Sequence, residues 1–145
     1  MRRVHLAILK RAYLEAILDG RKRVESRFGR TMRAYFDQVS PADKVFLKVS
    51  SGPVCGEAII EDVRNFCELG PGRIQELREQ YNHLILGSQE YWVSKKNCKF
   101  GILLWLKEVR EIEPISIIKR DWRSWVVLTE RENFGLFRLI SQGQG

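Results

Sequence analysis

The apolar run FGILLWL at residues 100–106 is the strongest constraint on how this chain folds. It falls well short of the roughly 20 residues that cross a bilayer as a helix. Its length and its branched and aromatic side chains suit a central strand of a sheet, and continuing it to Val109 gives the principal strand. A central strand needs neighbours, and the rest of the sequence supplies them. Residues 4–9, 23–28 and 125–128 read as strands. Residues 44–50 and 54–60 read as a hairpin around Ser51-Gly52-Pro53. Pro114 is expected to end the extension of the principal strand.

Helical signals lie between these segments. Leu14, Ile17 and Leu18 make one apolar stripe over residues 12–19, and Gly20 follows where a helix end favours left-handed backbone. Pro71-Gly72 opens a second helix carrying Ile74, Leu77, Tyr81, Leu84 and Ile85, with Gly87 as its stop. Ser88 begins a short helical piece through Trp92. Thr129 and Glu132 have capping-box spacing, and residues 134–140 fit helix or strand. This order is not the regular alternation of a doubly wound sheet, so the expected fold is an α+β, partly closed barrel. Closure also removes sheet edges. The 145 residues suffice for one domain. Its expected extent is 1–140, with 141–145 a flexible tail.

Several functions are set aside. Cys55, Cys67 and Cys98 form no CxxC pair, and His5 and His83 stand apart, so neither a metal site nor a cofactor is expected. The start MRRVHLAILKR lacks the length of a signal-peptide core, and a cytoplasmic protein is expected. Charge is more informative. Residues 1–34 hold ten bases and three acids, whereas residues 35–145 hold fifteen of each. The whole excess of +7 therefore lies at one end of the chain, as a polyanionic partner would favour.

That basic segment contains GRKRVESR, residues 20–27. With strand alternation, Val24, Ser26 and Phe28 share one face, and Arg23, Glu25 and Arg27 share the other. Glu25 would then be a carboxylate held between two arginines, with Lys22 free to swing over the same cleft. Such a set accepts from a base or ribose through Glu25 and meets phosphate through Lys22 and Arg27. A charged ladder on a strand surface is the competing reading. Arg21, Arg23, Arg30 and Arg33 would extend the nucleic-acid surface.

Residues 5–28, HLAILKRAYLEAILDGRKRVESRF, resemble the opening of the ASCH (activating-signal-cointegrator homology) domains of the PUA-like superfamily. That family carries G-x-K-x-x-E-x-R after its first helix, matched by Gly20, Lys22, Glu25 and Arg27. The later order VCGEAII, a helix near 72–86, and KFGILLWLKEVREIEPI also fits. The resemblance implies a β-barrel of about five to six strands with two to three helices around a cleft that holds the motif. It further implies RNA binding. Some small members deacylate N4-acetylcytidine with a lysine and a threonine of this motif, and ribonuclease activity is attributed to others. Lys22 matches the lysine, but Glu25 stands at the threonine position. Were the chain an enzyme of this kind, Lys22 and Glu25 would be the proton-transfer pair.

Aromatic residues beside bases supply stacking candidates. Trp92, near Lys95 and Lys96, and Trp122, near Lys119 and Arg123, are read as exposed or half-exposed platforms. Trp105 is assigned to the core, and Trp125 fits either role. The favoured function is an RNA-binding module for single-stranded RNA or a nucleotide, with the oligomeric state open. The alternatives are a small hydrolase of RNA or a modified nucleoside, and a basic protein-interaction domain.

Overall fold

The structure, a computed structural model, describes residues 2–118 and 123–143. Among these residues six strands form one sheet: β1 (Val4–Leu9), β2 (Val24–Gly29), β3 (Lys44–Val49), β4 (Val54–Phe66), β5 (Phe100–Ile115) and β6 (Trp125–Val127). Their order is β2-β5-β4-β3-β1-β6, with β1 and β3 parallel and every other pair antiparallel. Among the described residues four α-helices accompany them: α1 (Arg11–Leu18), α2 (Pro71–Ile85), α3 (Gln89–Lys95) and α4 (Phe134–Gly143). The sheet curls into a half-barrel, and the architecture is α+β.

Alternation along the strands distributes side chains to two faces. Ile102, Leu104 and Leu106 of β5 join Ala7, Val45, Leu47 and the α1 residues Leu14 and Ile17 inside the curl. Leu103 points the other way, into a cluster with Val24, Phe28 and the α2 residues Ile74, Leu77 and Ile85. This is why FGILLWL is continuously apolar: β5 lies between β2 and β4 and is covered on both faces. A third cluster seats Ile140 of α4 on Leu6, Phe46 and Val126.

Several boundaries differ from expectation. β4 runs to Phe66, because its pairing with β5 continues through three register shifts. β5 passes through Pro114, which lies in an irregular stretch where the ladder skips from Gly56↔Glu111 to Val54↔Ile115. Thr129 does not cap a helix. Its hydroxyl accepts from the Val4 amide at 3.4 Å, and a short 3-10 turn, Arg131–Asn133, precedes α4. Residues 134–143 are helical, so α4 continues into the expected tail and brings the helix count above the two or three anticipated. Leu86, not Gly87, takes the left-handed position after α2, at φ 58°. Gly20 has φ 86°, as its place after α1 suggested.

Gly101 has a different task. It pairs with Phe28 across β2 and β5, and the Phe28 ring lies over it so closely that a Cβ would sit 2.5 Å from a ring carbon. Gly101→Ala is expected to destabilise the fold by about 1–3 kcal/mol through overpacking. Gly72→Ala, in the open first turn of α2, is expected to be neutral or to stabilise by about 0.5–1 kcal/mol. Denaturant midpoints of the two variants check this, and equal midpoints would refute the close packing of Phe28 on Gly101.

Candidate functional site

The two edges of the sheet, β2 and β6, face each other across a cleft of about 890 Å³. β2 enters it directly after α1. The turn is tied down by two backbone bonds, from the Lys22 amide to Ala16 O at 2.9 Å and from the Arg23 amide to Leu84 O at 2.9 Å. From there the alternation acts as expected: Val24 and Phe28 pack under α2 and α3, and Glu25 and Arg27 come together on the other face.

Glu25 is buried, 7% exposed, and its oxygens are fully occupied. Oε2 accepts from Arg27 Nε at 3.0 Å and lies 2.9 Å from Arg27 Nη2. Oε1 lies 3.3 Å from Lys22 Nζ and 3.2 Å from the Ser26 amide. A carboxylate offers about four acceptor directions, and these contacts use them. Lys22 is equally committed. Its Nζ donates to Val24 O at 2.9 Å and to Ile85 O at 2.6 Å, besides its contact with Glu25. Ile85 ends α2, so the ammonium also neutralises the negative end of that helix. Three acceptors around one nitrogen require three hydrogens, which fixes the charged form even though burial lowers the Lys22 pKa. Burial alone would raise the Glu25 pKa; Arg27 and Lys22 outweigh it and hold the carboxyl below its ordinary value. Lys22 is therefore not the mobile side chain expected, and its place beside Glu25 is the one assigned to Arg23, which is exposed on the surface.

Arg27 reaches furthest. Nη2 donates to Ile8 O of β1 at 3.1 Å, and Nη1 donates to Ser124 O, just before β6, at 3.2 Å. One side chain thus ties β2 to the opposite side of the curl. Of its five hydrogens, one on Nη1 is left for the cleft by these contacts. Its guanidinium carbon lies 5.4 Å from the Trp125 ring centroid. Tyr35 stacks on Trp125, at 5.2 Å between centroids and 11° between planes. On the opposite wall, Tyr91 pairs its hydroxyl with Ser26 Oγ at 2.6 Å, and burial pushes its pKa up.

The rim is mixed in charge. Lys10, Arg33 and Lys95 line the cleft, and so do Glu90, Glu130 and Glu132. Arg21, Arg23 and Arg30 are exposed outside the cleft lining, with Arg21 paired to Asp19 at 2.8 Å. The charge excess of residues 1–34 is thus divided among interior, rim and outer surface. Trp92 is not a platform: it is 2% exposed, and its Nε1 donates to Asn82 Oδ1 at 2.9 Å. Trp105 is half-buried against Tyr81, with Arg64 over its ring. Trp122 lies outside the described residues. Sequence reasoning missed Ile8, Ser124 and Tyr13 as parts of the site. The first two serve through backbone carbonyls, which carry no residue-type signal. No group of three or more metal-ligating side chains occurs among the described residues.

Glu25→Gln is expected to cost about 3–5 kcal/mol at neutral pH, because it leaves two cations buried without their anion. Its pH dependence has a definite sign. Glu25 is more acidic in the folded chain, so its contribution is complete above the ordinary glutamate value of about 4.3 and is lost as pH falls through the lower folded value. Unfolding free energy plotted against pH should show a flatter acid limb for Glu25→Gln. An identical limb would assign the acid sensitivity to other carboxylates.

No family model matches this chain, and neither does any curated protein. Solved structures do. The crystal structure of ASCH from Zymomonas mobilis superposes with a TM-score of 0.70 at 17% identity, covering 97% of this chain and 96% of that one. A serine-to-alanine variant of the same protein gives 0.71 at 17% identity, covering 95% and 96%. A tyrosine-to-phenylalanine variant gives 0.69 at 17% identity, covering 95% and 99%. With its open curled sheet and helices, the chain has the ASCH domain fold of these structures.

Proposed function

We propose that this domain binds single-stranded RNA, or a nucleotide-sized part of it, in the cleft between β2 and β6. The observation that carries this reading is the wall of half-buried Tyr35 and Arg27, backed by Trp125, which is 4% exposed and supports the ring and the guanidinium without offering a stacking face of its own. It combines an aromatic stack with a guanidinium that keeps one donor hydrogen, in a cleft large enough for a nucleoside. Lys10, Arg33 and Lys95 stand at the rim where a phosphate backbone would pass. Arg21, Arg23 and Arg30 would lengthen that path outside the cleft. The ASCH fold is compatible with this use, although a fold by itself does not decide function. A cytoplasmic setting goes with it.

The bonding of the motif favours binding over catalysis. A lysine with three donated hydrogens has no lone pair for a base, and a carboxylate with four contacts has no free oxygen for a proton. In this reading Lys22 and Glu25 hold the cleft in shape and do not touch RNA.

Affinity for short single-stranded RNAs, measured over a range of salt, tests the proposal. Each phosphate contact adds roughly −0.7 to the slope of log K against log salt. Arg33→Ala and Lys95→Ala are each expected to flatten the slope by about one contact. Arg23→Ala and Arg30→Ala, on the outer surface, are expected to have smaller effects. The reverse ranking would move the RNA out of the cleft. Binding of an acidic peptide in preference to RNA would replace the proposal with a protein-interaction role.

A further inference from the structure

Behind the aromatic wall, Trp125 joins a buried chain of hydrogen bonds whose other members, His5 and Asp43, do not line the cleft. His5, on β1, is fully buried. Its Nε2 lies 2.9 Å from Asp43 Oδ2, and its Nδ1 accepts from Trp125 Nε1 at 3.1 Å. An indole N–H only donates, so Nδ1 must present its lone pair. The proton of the neutral ring is then on Nε2, directed at Asp43. Asp43 is 2% exposed and is held by the Arg3 amide on Oδ1 and the Ser40 amide on Oδ2, both at 3.0 Å. The tautomer of His5 is thus fixed from both ends.

We propose that His5, oriented by Asp43, is a positioning residue of the cleft: it holds the Trp125 indole against Tyr35 and Arg27, and a proton added at His5 Nδ1 removes that hold. A ring at position 125 could fill the same space without any acceptor behind it. The acceptor adds control over the orientation of the ring in its plane, and the stack on Tyr35 and the contact with Arg27 inherit that orientation. Once Nδ1 carries a hydrogen, two donors face each other where a bond had been. The indole must then turn or leave a buried N–H unpaired.

The charged groups around His5 define the direction of the effect. Among the described residues these are Asp43, from the turn before β3, and Arg3, at the start of β1. The neighbouring strands place Val45 and Val127 opposite it. Glu25 and Arg27 on β2, and Tyr35 before β3, lie beyond the indole. Burial lowers the pKa of His5 more than Asp43 raises it, so the neutral ring prevails at neutral pH and the hold is lost on acidification.

This inference rests on the cleft being the RNA site, and two readouts separate the two ideas. The first needs no RNA. The indole N–H resonance of Trp125 in a ¹H–¹⁵N spectrum, assigned by its loss in Trp125→Phe, is followed as pH is lowered. In the wild type it is expected to shift with one inflection below the usual histidine range. In His5→Gln, whose amide can accept from Trp125 and donate to Asp43 without titrating, that inflection should vanish. The second readout is affinity for a short single-stranded RNA between about pH 7.5 and about pH 5. Wild-type affinity is expected to fall about twofold more than that of His5→Gln where pH reaches the Trp125 inflection, and more steeply below it. Trp125→Phe, which keeps a ring but donates nothing to His5, should show the same weak pH dependence as His5→Gln. A Trp125 resonance that ignores pH, or one that titrates alike in wild type and His5→Gln, overturns the proposal. So does an identical pH profile of RNA binding in wild type and Trp125→Phe. If the resonance titrates as expected but no RNA binds at any pH, the positioning of Trp125 stands and the RNA reading falls.

Discussion

The guanidinium of Arg27 spans the one gap that the backbone leaves open. A six-stranded sheet with order β2-β5-β4-β3-β1-β6 has two edges, and no main-chain ladder joins them. Arg27 leaves one edge strand and donates to Ile8 O and Ser124 O on the far side of the curl. Burying that charge would be costly alone. Glu25, two residues earlier on the same strand face, supplies the counter-charge, and Lys22 balances the remaining oxygen of Glu25. Every donor and acceptor in this cluster that faces protein has a partner, which is the condition under which a buried ionic group holds a geometry instead of weakening it. The half-barrel is closed at this point by side chains where a full barrel would use hydrogen-bonded strands.

The cleft follows from that arrangement. Because the edges are bridged and not paired, space remains between them, walled by whatever side chains flank the bridge. On one side these are Trp125 and Tyr35, and on the other Tyr91, with Lys22 over the Tyr13 ring at 5.2 Å. The same Lys22 ammonium meets the last carbonyl of α2, so the helix packed outside the sheet and the bridge inside it share one cation. The helix end, the strand edge and the aromatic wall are thus coupled through Lys22, just before β2, and through Glu25 and Arg27 on one face of it.

Much of this was legible in the chain. The spacing of Glu25 and Arg27 put both on one strand face, and the apolar run around Leu103 identified the central strand, because alternation and burial are local consequences of sequence. The environment of each charged residue was not legible. Lys22 was read as a solvated side chain, yet the C-terminus of α2, sixty residues later in sequence order, encloses it. Trp92 was read as a platform because its neighbours in sequence are charged, whereas on a helix those neighbours point elsewhere and its indole turns inward to Asn82. The sequence argues only against His5 as a metal ligand and shows nothing of its hydrogen bonds. Its partners, Asp43 and Trp125, come from a turn and a strand that only the sheet brings together.

The sequence by itself therefore determined most of the elements, the two-faced interior strand and the pairing of Glu25 with Arg27, since each depends on residues within a few positions of one another. Tertiary structure decided which cations are interior and which are free. It also decided that β2 and β6 become the two lips of a cleft, and that a histidine on β1 stands behind a tryptophan on β6. Those outcomes depend on the order of strands in the sheet. Residues 8, 27 and 124 meet because the sheet curls, and no local pattern records the curl.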